Sequence, residues 1–532
     1  MSHKVLLLDG VDAVCREIFE KRGFEVLDAP GLKGEELIKT IGAYNAVVVR
    51  SATKVNADLL RHAPNLQVIG RAGVGVDNID IDAATKMGAL VMNTPDGNTI
   101  STAEHTCGMI LSMARNIPNA VDSLKRGQWD RKKYTGREVH GKKLGIIGFG
   151  KIGSNVAERM QAFGMSIIAY DPFITRERAE DLGVKLMDID EILSQADFLT
   201  VHTPLTEKTR GMISLKNADK IKNGICLVNC ARGGIYEEND LVELLDTGVI
   251  ESVALDVYTV EPPDDKLYEI LRHPRIICTP HLGASTTEAQ GKVAEQIAEQ
   301  IADALERKEY KGSLNGKSIA LSTNAEVQPY LQLAERLGRF ISQLAPEHTN
   351  DLSISYTGHC AKHADVLTDS VLRGFLDQNV EDTINLINAR YHAGQRGLKI
   401  SETISRESPT FSDMITIGLS EEADYRKVSA TVFGKDDFRI VDIDGYSIEI
   451  DLSGEIIIYR NVDKPGMLAS ASSLLADNQI NIAALSLGRD QKTARAITAI
   501  TVDKQLSDGD VENLGKMPGI EKLHYITMAN NL

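Results

Sequence analysis

The chain has 532 residues, 42% of them apolar, enough to fill several cores of ordinary domain size. Its 59 basic and 75 acidic residues leave a formal net charge of -16, which sets most of the surface against polyanions and excludes a general nucleic-acid or anionic-membrane binder; an anionic substrate would need a local basic pocket. The six cysteines (Cys15, Cys107, Cys226, Cys230, Cys278, Cys360) form no CxxC pair, the apolar run before Asp9 and Asp12 is too short for a signal segment, and no later stretch approaches a membrane span, so the expectation is a cytoplasmic protein.

Short apolar runs come first at 4–8, 46–50, 66–70 and 89–93, then at 143–148, 166–171, 198–202, 225–229, 251–257 and 275–280. Helical patterns such as Asn155–Phe163 and Glu237–Thr247 lie between them, and strands alternating with helices predict parallel sheets covered on both faces. Two long helical patterns, 99–117 and 285–307, mark the joins of two lobes with a cleft between them. Beyond Gly312 the character changes: helices are expected near 328–344 and 365–389 and strands near 351–357 and 428–435, followed by a β-α-β-β-α-β pattern. The predicted class is α/β: two Rossmann-like doubly wound lobes, an α+β intervening domain and a ferredoxin-like tail. The expected domains are 1–98 with 284–312, 99–283, 313–452, and 453–532.

The spacing Gly148-Phe-Gly150-Lys-Ile-Gly153 follows a predicted strand and opens a helix, the context in which glycines permit a tight turn and close approach of a pyrophosphate. Eighteen positions on, Asp171 ends the next strand, where a carboxylate accepts ribose hydroxyls and repels a 2′-phosphate; this favours NAD over NADP.

Three later loops after strands each carry one polar residue amid small ones: Arg232, Glu261 and His281. Carboxyl ends of parallel strands face the ligand crevice, so the three can converge. Oxidation of a secondary alcohol needs a base for the hydroxyl proton, a task for His281, with Glu261 to orient its ring. Arg232 would pair with a substrate carboxylate. The His359/His363 spacing lacks a third ligand nearby, and no metal is expected.

The stretches "GRAGVGVDNID" (70–80), "GFGKIG" with Asp171, "VNCARGGIYEE", "ALDVYTVEPP" and "TPHLGAST" together resemble the D-isomer-specific 2-hydroxyacid dehydrogenases, and the whole chain resembles their long form that acts on 3-phosphoglycerate. The resemblance implies oxidation of 3-phospho-D-glycerate to 3-phosphohydroxypyruvate with NAD, the entry step of serine synthesis. It also implies that Arg232, Glu261 and His281 are catalytic. Cofactor contacts are implied at Val74, Gly148, Gly150, Lys151, Ile152, Gly153, Asp171, Thr203, Cys230, Ala231, Arg232, Asp256, His281, Gly283 and Ala284. Arg50, Arg71 and Gly75 are implied at the substrate.

The basic segment around the single tryptophan, Trp129, includes Arg131 and Lys132. By resemblance it reaches a neighbouring subunit's substrate in a homodimer or homotetramer; the alternative is a solvated loop with Trp129 packed into its own subunit. The tail resembles an ACT domain, which implies L-serine as effector, bound through Asn461, Asp463 and Asn481. Asn461 departs from the histidine or tyrosine of relatives. Other readings are a glyoxylate or hydroxypyruvate reductase of the same family and a non-catalytic NADH-responsive binding protein.

Overall fold

The computed structural model describes residues 2–346, 349–377, 383–405, 411–419, 427–490 and 493–528. The first sheet has five parallel strands in the spatial order Glu25–Asp28, Lys4–Leu7, Ala46–Val49, Val68–Arg71, Leu90–Asn93. Ala46–Val49 and Leu90–Asn93 are buried at every position, which is why they read as continuous apolar runs. Glu25–Asp28 escaped the sequence reading because it is an edge strand, mostly exposed and without that run.

The second sheet has seven parallel strands in the order Ile276–Cys278, Ile250–Leu255, Ile225–Asn229, Phe198–Val201, Lys143–Ile147, Ser166–Tyr170, Lys185–Leu186. Chain order reverses between Lys143–Ile147 and Phe198–Val201, and a crevice opens at the carboxyl ends of strands that flank such a reversal. The other unread strand of the two lobes, Lys185–Leu186, is again at an edge.

Between the lobes, the pattern at 99–117 divides. Helix Thr99–Ala114 stops before Asn116, which takes a left-handed conformation, and helix Ile117–Lys125 starts anew with Pro118 in its first turn. Proline fits a first turn and breaks a helix interior. Helix Thr287–Leu305 returns to the first lobe, where Ile297 and Ile301 join the core of Val5, Val48, Val68 and Met92. Contact is so close that a Cβ on Gly70 would lie 2.3 Å from Ile301 Cδ1.

A six-stranded sheet follows, ordered Lys399–Ser405, Asp351–Gly358, Asp413–Gly418, Lys427–Phe433, Asp437–Ile443, Tyr446–Asp451, parallel in its first pair and antiparallel thereafter. Helices Gln328–Ser342 and Ala364–Leu376 pack backbone to backbone, a Cβ on Gly338 falling 2.1 Å from the Val371 carbonyl oxygen. The helix expected over 365–389 ends at Leu376; 378–382 lie outside the described residues, and 383–388 are not helical. There Asn385 Oδ1 accepts from the Ile387 and Asn388 amides, a side-chain turn that competes with helix.

The tail is β-α-β-β-α-β as predicted, an antiparallel sheet ordered Ile482–Asp490, Arg495–Val502, Gly454–Val462, Ile520–Met528, with helices Met467–Asp477 and Asp508–Gly515. Among the described residues no helix is long and apolar enough to cross a membrane.

Candidate active site

At the strand reversal, Gly148 follows strand Lys143–Ile147 with φ 95°, and a Cβ there would meet the His202 carbonyl oxygen at 2.5 Å. A Cβ on Gly153 would lie 2.2 Å from the Gly148 carbonyl oxygen, so both glycines are required by close packing of the turn on the helix and on the neighbouring strand end. Gly150 has open space where its Cβ would be and caps helix Lys151–Ala162 without a side-chain hydrogen bond. That leaves backbone N–H groups of a twelve-residue helix facing the opening, a cradle for phosphate oxygens.

Asp171 accepts the Phe149 amide on Oδ2 (2.8 Å) and the Phe173 amide on Oδ1 (2.8 Å), which fixes the carboxylate beside the glycine turn with lone pairs to spare. The buried hydroxyl of Thr203 has no protein partner. An orphaned hydroxyl, an open glycine cradle and an oriented carboxylate in one crevice fit a dinucleotide. Lys151, at the start of the helix, pairs with Asp96 of the first lobe.

The three catalytic candidates converge from three strand ends. His281 follows Ile276–Cys278 and has φ 54°. Its Nδ1 is 2.7 Å from Glu261 Oε2, while Glu261 Oε1 accepts the Tyr258 amide at 3.1 Å. The Glu261 hydrogen bond holds the imidazole above its ordinary range, against burial and the nearby Arg232. The Glu261 loop is anchored beneath by Glu238, a buried carboxylate that accepts the Thr259 amide at 2.9 Å and also the Thr259 hydroxyl. Glycine is required at 233 because a Cβ there would lie 1.9 Å from the Tyr258 carbonyl carbon. That contact brings the Arg232 loop against the Glu261 loop.

Arg232 reaches the first lobe. Its Nε donates to Asp77 Oδ2 at 3.1 Å and its Nη1 to the Ala231 carbonyl at 2.7 Å, and a Cβ on Gly75 would lie 2.3 Å from Nη2. Arg71 donates through Nη1 to the Ala72 carbonyl at 2.7 Å, and its buried Nε has no protein partner. Burial, with Arg50 and Arg232 close by, lowers the Arg71 guanidinium to about 10. Arg71 thus feels the charges of Arg50 and Arg232, offset in part by Asp9 and Asp77, and the three arginines give the local positive site that the overall charge of the chain demands.

Asp256 braces the turn that carries His281. Its Oδ1 accepts from the Leu282 amide (2.7 Å) and the Thr279 hydroxyl (2.6 Å), and its Oδ2 from the Gly283 amide (2.8 Å). Burial opposes its charge, but bonds from His105, Thr279 and Leu282 outweigh it and hold the carboxyl below the usual range. Cys230 is buried, which pushes its thiol up to about 12. Ligand-capable atoms of His105, Cys230 and Asp256 lie within 4.8 Å of one another, with the Asp256 oxygens already engaged by N–H and O–H donors.

Known proteins resemble this chain in sequence and fold. Residues 107–283 match the D-isomer specific 2-hydroxyacid dehydrogenase NAD binding domain, 326–444 the D-3-phosphoglycerate dehydrogenase intervening domain, and 455–517 the ACT domain. The D-3-phosphoglycerate dehydrogenase of Bacillus subtilis is 42% identical over 486 residues, 91% of this chain and 92% of that protein. Its counterpart in Archaeoglobus fulgidus is 38% identical over 99% of this chain and 100% of its own length. The chain belongs to the D-3-phosphoglycerate dehydrogenase family. Among solved structures, an NAD-dependent formate dehydrogenase from Staphylococcus aureus in complex with NAD is 28% identical, with a TM-score of 0.53 over 58% of this chain and 97% of that one. TT0316 from Thermus thermophilus gives 29% and 0.54, over 58% and 99%.

The remaining positions singled out from sequence lie elsewhere in this family member. Trp129 is 76% exposed, so the alternative that packs it into its own subunit does not hold. Arg131 and Lys132 are exposed on the same turn. In the ACT module Asn461 is buried, accepting from the Thr498 hydroxyl (3.1 Å) and donating to the Val462 carbonyl (2.9 Å). Asp463 pairs with Arg489 at 2.7 Å. Asn481 donates to Asp503 at 2.7 Å, at the opposite end of the sheet: it precedes Ile482, which pairs with Val502, whereas Asn461 pairs with Ala496. One module does not bring the three together. Sequence reasoning missed Asp77, Asp96, Glu238 and His105, which act through tertiary contacts; only Asp77 carried a signal, its place in the glycine-rich stretch 70–80.

Proposed function

We infer that the chain oxidises 3-phospho-D-glycerate to 3-phosphohydroxypyruvate with NAD, the entry step of serine synthesis. The observation that carries this reading is the His281–Glu261 pair at two neighbouring strand ends and, on the next loop, Arg232 reaching Asp77 and Gly75 of the first lobe, with Arg71 and Arg50 close enough to share its charge. NAD, when bound, accepts the hydride from the alcohol carbon. Gly148, Gly150, Lys151, Ile152, Gly153 and Thr203 would hold its phosphates, and Asp171 its adenosine ribose. Val74, Cys230, Ala231, Asp256, Gly283 and Ala284 would line its nicotinamide end. His281 takes the hydroxyl proton on Nε2, and Glu261 stabilises the imidazolium and fixes the tautomer, Nδ1 being the donor to the carboxylate. Arg232 grips the substrate carboxylate and carbonyl oxygen, and Arg50 and Arg71 hold the phosphate, whose charge relieves their mutual repulsion.

The four expected domains, 1–98 with 284–312, 99–283, 313–452 and 453–532, serve as substrate lobe, cofactor lobe, intervening domain and regulatory domain. The protein acts as a homodimer or homotetramer in which Arg131 and Lys132 reach the partner's substrate. L-serine binds between paired ACT modules, Asn461 and Asp463 of one facing Asn481 of the other. The six unpaired cysteines suit a reducing cytoplasm. An NAD-linked assay with 3-phosphoglycerate, with and without L-serine, tests the reading. Turnover lowered by serine is expected; a preference in kcat/KM for glyoxylate or hydroxypyruvate as reductase substrates overturns the substrate assignment, and rates unchanged up to millimolar serine overturn the effector.

A further inference from the structure

Helix Thr99–Ala114 lies beneath the turn that carries His281, and two of its side chains reach that turn. Thr102 Oγ1 donates to the Gly283 carbonyl at 3.2 Å. His105 Nε2 stands 3.1 Å from Thr279 Oγ1 and 3.2 Å from Asp256 Oδ1. The Thr279 hydroxyl spends its own proton on Asp256, at 2.6 Å, so the partner it lacks is a donor. Nε2–H of His105 is that donor, and it serves both oxygens at once. Asp256 in turn holds the Leu282 and Gly283 amides, the two that immediately follow His281. His281 itself has φ 54°, a conformation in which a non-glycine residue persists only when its surroundings impose it.

We propose that His105 is a positioning residue for His281: through Thr279 and Asp256 it fixes the backbone on both sides of the catalytic histidine in the left-handed conformation that aims the imidazole across the cleft. The proposal rests on the reading of His281 as the proton acceptor. Helix Thr99–Ala114 packs into the core of the second lobe, with Ala103 and Ile110 beside Ile146 and Val156, so the aim of the base is set from a core helix and not from its own loop alone. Glu261 fixes the rotation of the ring, and His105 fixes where the ring is carried. A misplacement of about 1 Å at a reacting group can cost about 100-fold in rate.

The test is a double-mutant cycle on the full-length enzyme. His105→Leu keeps the bulk and removes the donor; kcat is expected to fall about 10- to 100-fold, and His105→Gln, whose amide can donate, to recover most of the loss. In a His281→Ala background, His105→Leu is expected to cost no more than about twofold, since there is no base left to aim. Three results overturn the proposal: kcat of His105→Leu within about twofold of the parent, an equal loss in the His281→Ala background, or no recovery with His105→Gln. If His281→Ala itself keeps near-parental turnover, the proton-transfer reading fails instead, which separates the two. Should His105→Leu not fold, His105→Ala carries the same expectations.

Discussion

The Nδ1 atom of His281 lies 2.7 Å from Oε2 of Glu261, two residues twenty positions apart that meet only because their strands are neighbours in the second sheet. Since this bond holds the imidazole above its ordinary range, the sign of its pH effects is fixed. Oxidation needs neutral His281, so kcat/KM for the alcohol rises with pH through that raised value, and the reverse reaction falls through it. Glu261→Gln is expected to move the inflection toward lower pH and to lower the plateau about 100-fold. The pair's contribution to stability is complete below the unfolded value of about 6.5 and is lost as pH rises through the folded one. An unmoved inflection in Glu261→Gln would separate the carboxylate from the base.

Gly75 lies under the Arg232 guanidinium, where a Cβ would come within 2.3 Å of Nη2. Gly75→Ala therefore displaces the Arg232 guanidinium, the proposed substrate clamp, and meets neither Asp171 nor the glycine turn at 148–153. A loss of about 100-fold in kcat/KM is expected, with NAD affinity, read by titration calorimetry, changed less than about threefold. Equal losses in both would place Gly75 at the cofactor instead.

Arg71 is lowered to about 10 by burial and by the neighbouring arginines, a cost that an anionic substrate repays. Arg71→Gln should raise KM for 3-phosphoglycerate at least about 10-fold and leave turnover of an unphosphorylated 2-hydroxyacid nearly unchanged. Parallel kinetics on the two substrates check this, and equal effects would take Arg71 away from the phosphate.

Asp171 is fixed beside the glycine turn by the Phe149 and Phe173 amides. Asp171→Ser is expected to weaken NAD binding about 10-fold and to narrow the gap between NAD and NADP, because the carboxylate that repels a 2′-phosphate is gone. Steady-state KM values for both cofactors measure it; an unchanged ratio argues against the ribose contact.

Ile117, Val121 and Leu124 are 48%, 46% and 57% exposed on one face of their helix, close in sequence to the exposed Trp129. The proposed homo-oligomer is expected to bury this apolar stripe. Leu124→Asp should shift the mass in light scattering from oligomer to monomer and depress turnover if Arg131 and Lys132 act on the partner's substrate. An unchanged mass would exclude this face.

Much of the site was legible before folding was considered. The glycines at 148, 150 and 153 and the carboxylate at Asp171 answer to local rules, namely a tight turn, a helix start and a strand end, so spacing alone exposed them. Arg232, Glu261 and His281 stood out because each follows a strand run amid small residues. Edge strands such as Glu25–Asp28 were not legible, since an edge does not demand the buried run that marks a central strand. Nor was the break at Asn116, where the apolar pattern continues and only Pro118 hints at a new helix.

What the sequence determined by itself was the alternation that builds two parallel-sheet lobes, and it named the candidates for hydride-transfer chemistry, because both depend on neighbours within a few residues. Tertiary structure alone decided which of them meet. It set Asp77 on Arg232, Arg71 against the Arg50 and Arg232 charges, and His105 behind the turn of His281, and it put Asn461 and Asn481 at opposite ends of one module. Such pairings arise from the order of strands in a sheet and the return of helix Thr287–Leu305 to the first lobe, and sequence separation carries no record of either.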